Sequence, residues 1–338
     1  MPSGIEKKEN PPLLEIRDLN ISFSQKEARG GFRVVNQVSL SIPRGSLFGL
    51  AGESGSGKSL TALSIMGILP NSARAEGSIR FKGNEILNLP PGKMRSIRGK
   101  EISMVFQEPM TSLNPVLKIG YQVREALLAH LPISKKEAQS RAIELLRSVM
   151  IPSPEQRIND YPHQLSGGMR QRVMIAMAIA CNPPLLIADE PTTALDVTIE
   201  AQILELIDTL RAERNMSVLL ITHDLGAIAR HARTVGVMYA GRIVELAPVE
   251  DIFSGPKHPY TIGLLESIPF KNKKGMPLKP IPGNVPPPWG LPPGCKFSDR
   301  CAFMIPPCQQ AEPELEELSA GHFSRCIRAR EMKWTLSL

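Results

Sequence analysis

Apolar and polar residues alternate along the first part of the chain and then change to a helical period. Leu14-Glu15-Ile16 and Leu19-Asn20-Ile21-Ser22-Phe23 alternate as half-buried strands do. Val34 to Ile42 does the same, and Pro43-Arg44-Gly45 marks a turn. Ser46 to Ala51 is a short apolar run that ends in a glycine-rich loop. After Lys58 the apolar residues Leu60, Leu63, Ile65, Met66 and Leu69 recur at helical spacing until Pro70-Asn71 stops the helix. Ile102 to Phe106 reads as a buried strand. Residues 116–165 read as mostly helical, with loops at Leu131-Pro132 and Ile151-Pro152. Gly167 to Ala180 is an apolar helix, Leu185 to Ala188 a buried strand, Ile199 to Arg214 an amphipathic helix and Ser217 to Thr222 another strand. Strands alternating with helices predict an α/β core with parallel strands, into which the helical stretch is inserted.

The pattern changes near residue 270. Prolines stand at 277, 280, 282, 286, 287, 288, 292 and 293, a density that favours extended geometry and resists helix or central strand. This segment reads as a connector to a cysteine-rich tail. No repeat of 20–50 residues is visible.

Composition adds limits. The 338 residues are 42% apolar and 22% charged, which is ordinary globular usage with material for a core. The net charge of +7 comes from scattered Lys and Arg with short clusters such as Lys271-Asn272-Lys273-Lys274, so a basic surface is expected and nucleic acid is not expected as a partner. The most apolar run, Val173 to Ala188, is broken by Asn182-Pro183-Pro184, and no stretch is long enough to span a bilayer. Met1 to Pro12 is polar and lacks the apolar region of a secretory signal.

Three segments carry chemistry. Gly52-Glu53-Ser54-Gly55-Ser56-Gly57-Lys58-Ser59 fits G-x-x-x-x-G-K-[ST] between an expected strand and an expected helix that continues from Leu60. Glycines let successive backbone N–H groups converge on phosphate oxygens, and a helix N-terminus adds a favourable dipole. Lys58 is expected to reach the β- and γ-phosphates, and the Ser59 hydroxyl to ligate Mg²⁺. Leu185-Leu186-Ile187-Ala188-Asp189-Glu190 ends an apolar strand in two acids, which are costly to bury unpaired. Asp189 is a candidate Mg²⁺ ligand, directly or through water, and Glu190 a candidate for polarising the attacking water. Leu165-Ser166-Gly167-Gly168-Met169 opens the apolar helix, with Ser166 as N-cap and exposed N–H groups that make a second anion site.

Together these resemble the nucleotide-binding subunit of an ABC transporter. The resemblance implies a P-loop NTPase fold of ABC type: an antiparallel β subdomain, a mostly parallel RecA-like core and an inserted helical subdomain. It also implies an ATPase that uses ATP and Mg²⁺, in which two subunits face head to tail. The phosphate loop of one and Ser166, Gly167 and Gly168 of the other would clamp each ATP. Gln107 resembles the glutamine that senses Mg²⁺ and the membrane partner. Asp196, in Thr193-Ala194-Leu195-Asp196, resembles the residue at the dimer contact, and His223, in Ile221-Thr222-His223-Asp224, the histidine that meets the γ-phosphate. Met169 departs from the usual Gln and lacks its amide donor. Phe23 is the candidate for stacking on adenine, with Phe32 as the alternative.

The likeness is closer to dipeptide/oligopeptide importer ATPases, most of all the "D" member of the dipeptide pair. Phe106-Gln107-Glu108-Pro109-Met110-Thr111-Ser112-Leu113-Asn114-Pro115, Tyr161-Pro162-His163-Gln164-Leu165-Ser166, Met238-Tyr239-Ala240-Gly241 and His258-Pro259-Tyr260-Thr261 carry it. It implies a nucleotide-binding domain over 13–265, with a helical subdomain over about 108–180, and an extension over 266–338. Nickel, glutathione and sugars are alternative cargoes of related ATPases, and a soluble ABC ATPase on nucleic acid or the ribosome is the rival from another class. The implied partners are a second, paralogous ATPase, two membrane permease subunits and an extracytoplasmic substrate-binding protein. The implied place is the cytoplasmic face of the membrane.

The tail holds Cys295-x5-Cys301-x6-Cys308-x17-Cys326. Four thiolates suit zinc or an iron–sulfur cluster, and the spacing leaves the two open. The resemblance implies a [4Fe–4S] cluster. Cys181 stands apart and is expected to be a small buried residue.

Overall fold

This computed structural model describes residues 11–24, 31–107, 112–193, 195–268 and 280–332. The Lys271 to Lys274 cluster, Pro277, Ala194 and residues 108–111 lie outside the described residues.

The first element is one strand where the alternation suggested two. Strand β1, Leu14–Phe23, runs through Asp18, whose φ of 48° puts a bulge in the ladder. The bulge resets the phase, so Ile16 and Leu19 both face inward although they are three apart. Strand β2 is Phe32–Ile42, β3 Leu47–Ala51, β4 Ala73–Phe81 and β5 Asn84–Glu85. An antiparallel sheet has the order β2-β1-β4-β5. Gly77 of β4 crosses the bulge at φ 112°, where a Cβ would lie 2.5 Å from the Asp18 carbonyl oxygen.

The second sheet positions the site. Its strands are β3, then β6 (Ile102–Val105), β7 (Leu185–Asp189), β8 (Ser217–Thr222), β9 (Thr234–Tyr239), β10 (Arg242–Pro248), β11 (Glu316–Ser319) and β12 (His322–Ser324). The order is β11-β12-β10-β9-β3-β8-β7-β6. Strands β9, β3, β8, β7 and β6 are parallel, and β10, β12 and β11 continue the edge antiparallel. Helices and the small sheet cover both faces, so β3, β7 and β8 are buried along their whole length and read as unbroken apolar runs.

The expected helical stretch holds Ile119–Leu128, Lys135–Ser148, Pro154–Arg157 and Gly167–Ala178. Ser134 caps the second by accepting from the Glu137 N–H, and breaks fall at 131–134 and 151–153 beside the prolines. Val123, Leu127, Leu146, Val173 and Ile175 share one apolar cluster with Leu186, Ala188 and Leu220 of the parallel sheet. On the other sheet face Leu50, Leu219 and Ile221 meet Ile16, Leu19, Val35 and Ile79 of the small sheet. A third cluster joins Tyr239 and Val244 to Tyr260 and to Phe297 of the tail.

Candidate nucleotide site

Strand β3 delivers the chain to the loop 52–57, and Gly57, in a left-handed conformation at φ 101°, starts the helix Lys58–Met66. Gly52 passes so close to β9 that a Cβ would stand 2.2 Å from the Met238 carbonyl oxygen. Glycine there is a requirement of space. Lys58 is buried, and its Nζ donates to the carbonyls of Gly52 at 2.7 Å and Glu53 at 3.0 Å. The ammonium therefore lies curled back into the loop it would serve. Burial lowers its pKa, against the pull of Glu190, Asp189 and Glu53. Leu60, expected with the loop 52–59 to bind the nucleotide, lies in the first turn, and its half-buried side chain packs on the small-sheet cluster.

The parallel strands β3, β6, β7 and β8 bring their carboxyl ends together here, the usual place for ligands in open α/β sheets. Ser59 Oγ donates to Asp189 Oδ1 at 3.1 Å. Burial raises the Asp189 pKa, the Ser59 hydrogen bond opposes that, and Glu190 adds to it. Glu190 follows at φ 44°, a conformation an L-residue holds at some cost. Its Oε2 accepts from Gln107 Nε2 at 3.0 Å and Thr193 Oγ1 at 3.1 Å, and His223 Nδ1 lies 3.7 Å away. Residues just beyond the carboxyl ends of β6, β7 and β8 thus meet on one carboxylate. Thr193 was not singled out in the sequence for this contact. Its place three residues past Glu190 was the only available signal.

Ser166 caps the helix Gly167–Ala178, its Oγ accepting from the Met169 N–H at 3.3 Å. Gly167 and Gly168 lie against the next helix, Val197–Arg214: a Cβ on Gly168 would meet Ile199 at 2.8 Å and one on Gly167 would meet Leu195 at 3.3 Å. Asp196 is the exposed N-cap residue of that same helix. Phe23 and Phe32 do not compete for one position. Their rings stack on each other at 5.9 Å, and Trp289 meets Phe32 edge-on at 5.6 Å. Trp289 is 72% exposed and comes from the proline-rich segment, a contact no local pattern signals.

The tail does not stand apart from this site. Glu53 of the loop donates its N–H to the Tyr260 hydroxyl at 2.8 Å, and its carboxylate pairs with Arg300 at 3.2 Å. Sequence reasoning missed both partners, which lie 207 and 247 residues further along the chain. Cys295, Cys301, Cys308 and Cys326 line one cavity with Phe297 and Phe303, and all four are free thiols. Burial pushes the Cys301 thiol up to about 11 and the Cys326 thiol up to about 12. Among the described residues no group of three or more His, Cys, Asp or Glu is placed to hold a metal ion. Cys181 is half-buried rather than buried, with its Sγ 3.6 Å from the Ala126 carbonyl oxygen.

A phosphate loop, a strand ending in two acids and a capped Ser-Gly-Gly helix on one parallel sheet define an ATP-hydrolysing cassette. Residues 35–193 match the family model described as ABC transporter, and residues 244–308 the model described as oligopeptide/dipeptide transporter, C-terminal region. The chain is 46% identical to the oligopeptide transport ATP-binding protein OppD of Salmonella typhimurium, over 94% of each chain. It is 50% identical to the oligopeptide transport ATP-binding protein AppD of Bacillus subtilis, over 94% of this chain and 97% of that one. Among solved structures it is similar to the ATP-binding cassette MJ0796 in a dimeric, post-hydrolysis state bound to ADP and Pi. The TM-score is 0.62 at 27% identity, covering 70% of this chain and 98% of that one. The chain belongs to the ABC transporter ATP-binding proteins, in the branch that carries the oligopeptide/dipeptide C-terminal region.

Proposed function

We propose that this chain couples ATP hydrolysis to the import of di- and oligopeptides through a membrane permease. It works as one of two ATPase subunits, the other a paralogue, at the cytoplasmic face of the membrane. Two permease subunits and an extracytoplasmic binding protein complete the assembly. The curated relatives that share its length carry oligopeptide transport in their names, which supports that cargo class. No described helix is long and apolar enough to cross a membrane.

In this reading the N–H groups of Gly52 to Ser59 cradle the phosphates, and Lys58 swings from its backbone carbonyls to the β- and γ-oxygens. The Ser59 hydroxyl and the Asp189 carboxylate, 3.1 Å apart, are hard oxygen donors that suit Mg²⁺, and Gln107, which donates to the neighbouring Glu190, would join them. The metal would neutralise charge on the phosphates. Glu190 takes a proton from water as the water oxygen bonds to the γ-phosphorus and the bond to the ADP oxygen breaks. His223 and Lys58 carry the charge that builds on the transferred group. Phe23, Phe32 and Trp289 offer the aromatic face for adenine. Ser166, Gly167, Gly168 and Asp196 act across the dimer. Residues 13–265 form the nucleotide-binding unit, with its helical part over about 108–180, and residues 266–338 the extension. Four free cysteines lining one cavity offer the soft sulfur donors that would hold a [4Fe–4S] cluster once ionised to thiolates. Iron and sulfide in anaerobically purified protein would support that assignment, and zinc would overturn it.

The observation that carries the reading is the convergence of Gln107, Thr193 and His223 on Glu190, beside Lys58, Ser59 and Asp189. A Glu190→Gln variant keeps the shape and hydrogen-bonding reach of the side chain and removes the base. It should bind MgATP and lose hydrolysis by about 10²- to 10⁴-fold. Normal turnover by this variant would sink the assignment.

A further inference from the structure

Glu53 poses an electrostatic problem. It is a carboxylate in the middle of a loop whose task is to gather N–H dipoles around an anion. An uncompensated negative charge there opposes phosphate by Coulomb repulsion, and more strongly where solvent is partly excluded.

The structure holds a remedy, and it comes from the tail. Arg300 ends the short turn Ser298–Arg300 between Cys295 and Cys301, and is only 8% exposed. Both terminal nitrogens of its guanidinium lie 3.2 Å from Glu53 Oε2. Its Nε donates to the Pro282 carbonyl at 2.8 Å, and Nη2 also donates to the Gly283 carbonyl at 3.2 Å. The cation lies over the rings of Tyr239 and Phe297, 5.6 Å and 5.9 Å from their centroids. Arg300 is thus fixed on every side before it meets Glu53. The rest of Glu53 is fixed separately: Tyr260 receives its N–H and Lys58 donates to its carbonyl. Its other oxygen, Oε1, is buried with no hydrogen-bond partner, and Arg300 is the cation paired directly with this carboxylate, while Lys58 feels its charge but donates to backbone carbonyls.

We propose that Arg300 is a positioning residue of the nucleotide site, a cation carried by the tail that neutralises Glu53 and lets the phosphate loop accept the triphosphate. The tail is then a working part of ATP binding. This rests on the reading of Gly52 to Ser59 as the phosphate loop.

The test is MgATP affinity of the full chain by fluorescence titration at low and high salt, with Lys58→Ala as control. Arg300→Met should weaken binding about tenfold, the size of one unscreened charge a few ångströms from a phosphate. Glu53→Gln should tighten it by about two- to threefold, and the double variant should recover most of what Arg300→Met lost. The Arg300→Met defect should shrink as salt rises, because screening acts on charge and not on packing. Arg300→Lys should recover part of the affinity. Failure of Glu53→Gln to rescue Arg300→Met, or a defect independent of salt, would overturn the proposal and leave Arg300 a structural anchor. If Arg300→Met does not fold, Glu53→Gln decides alone: unchanged or weaker binding defeats the idea. Normal binding by Lys58→Ala would instead defeat the phosphate-loop reading itself.

Discussion

Single side chains in this molecule have their ionisation set by where the fold places them, and His258 is the clearest case. It is fully buried, and its Nδ1 accepts from the Tyr260 N–H, capping the helix Pro259–Glu266. Burial, with Arg325 nearby, lowers its pKa from 6.5 to about 3. The unfolded chain therefore binds a proton that the folded chain refuses between those two values. Stability is full above pH 6.5 and falls on acidification through this window, by about 2 kcal/mol at pH 5. A His258→Asn variant keeps a capping acceptor and does not titrate. Its unfolding free energy should fall less between pH 7 and pH 5 than that of the parent. Equal slopes for the two proteins would show that His258 does not set the acid response. The chemistry at this scale was largely legible in the sequence. Lys58, Ser59, Asp189 and Glu190 sit in short strings whose spacing has only a few structural solutions. Arg300 and Tyr260 were not legible as neighbours of Glu53, because that contact exists only after the sheet has brought distant segments together.

Whole elements were readable where burial is symmetric and unreadable where it is not. Strands β3, β7 and β8 lie in the middle of the parallel sheet and stand out as apolar runs. Strand β4 alternates weakly, with exposed Arg74, Glu76 and Gly77 in its first half, so its residues gave no strand signal. The hairpin β11–β12 is short and largely exposed on β11, and its place in the sheet follows from pairing with β10, which no local pattern specifies. That pairing does more than extend the edge. Glu245 of β10 is wholly buried, accepts from the Lys257 and His258 N–H groups at 2.6 Å and 3.0 Å, and lies 2.8 Å from His322 Nε2 of β12. Ending the chain at residue 312 would remove β11 and β12, uncover Glu245 and bare the edge of β10. Exposed edges invite pairing between molecules. The shortened chain should melt at a lower temperature and form oligomers in size-exclusion chromatography. A monodisperse shortened chain with the parent's melting point would show that the hairpin is decoration.

At the scale of the molecule the two proposed anion sites are unequal. The loop 52–59 opens into a site with a lysine, a hydroxyl and two carboxylates around it. The Ser166 helix start offers a cap and two glycines, and both glycines are fixed by close packing on Leu195 and Ile199. Ser166 and Asp196 are exposed and sit at the starts of two helices packed on each other, Gly167–Ala178 and Val197–Arg214. In the proposed head-to-tail arrangement this exposed surface serves a phosphate that another subunit brings to it. The two sites should therefore fail differently. Lys58→Ala should remove MgATP binding by the isolated chain. Ser166→Glu should leave that binding intact, because its own phosphate loop is untouched. In the proposed complex with a partner ATPase and permease, Ser166→Glu would set a carboxylate against the partner's γ-phosphate. Hydrolysis there should fall by about 10²-fold, the range seen when one transition-state donor is lost. Full activity of the assembled Ser166→Glu complex would mean that each chain completes its own site, and the head-to-tail arrangement would have to be abandoned.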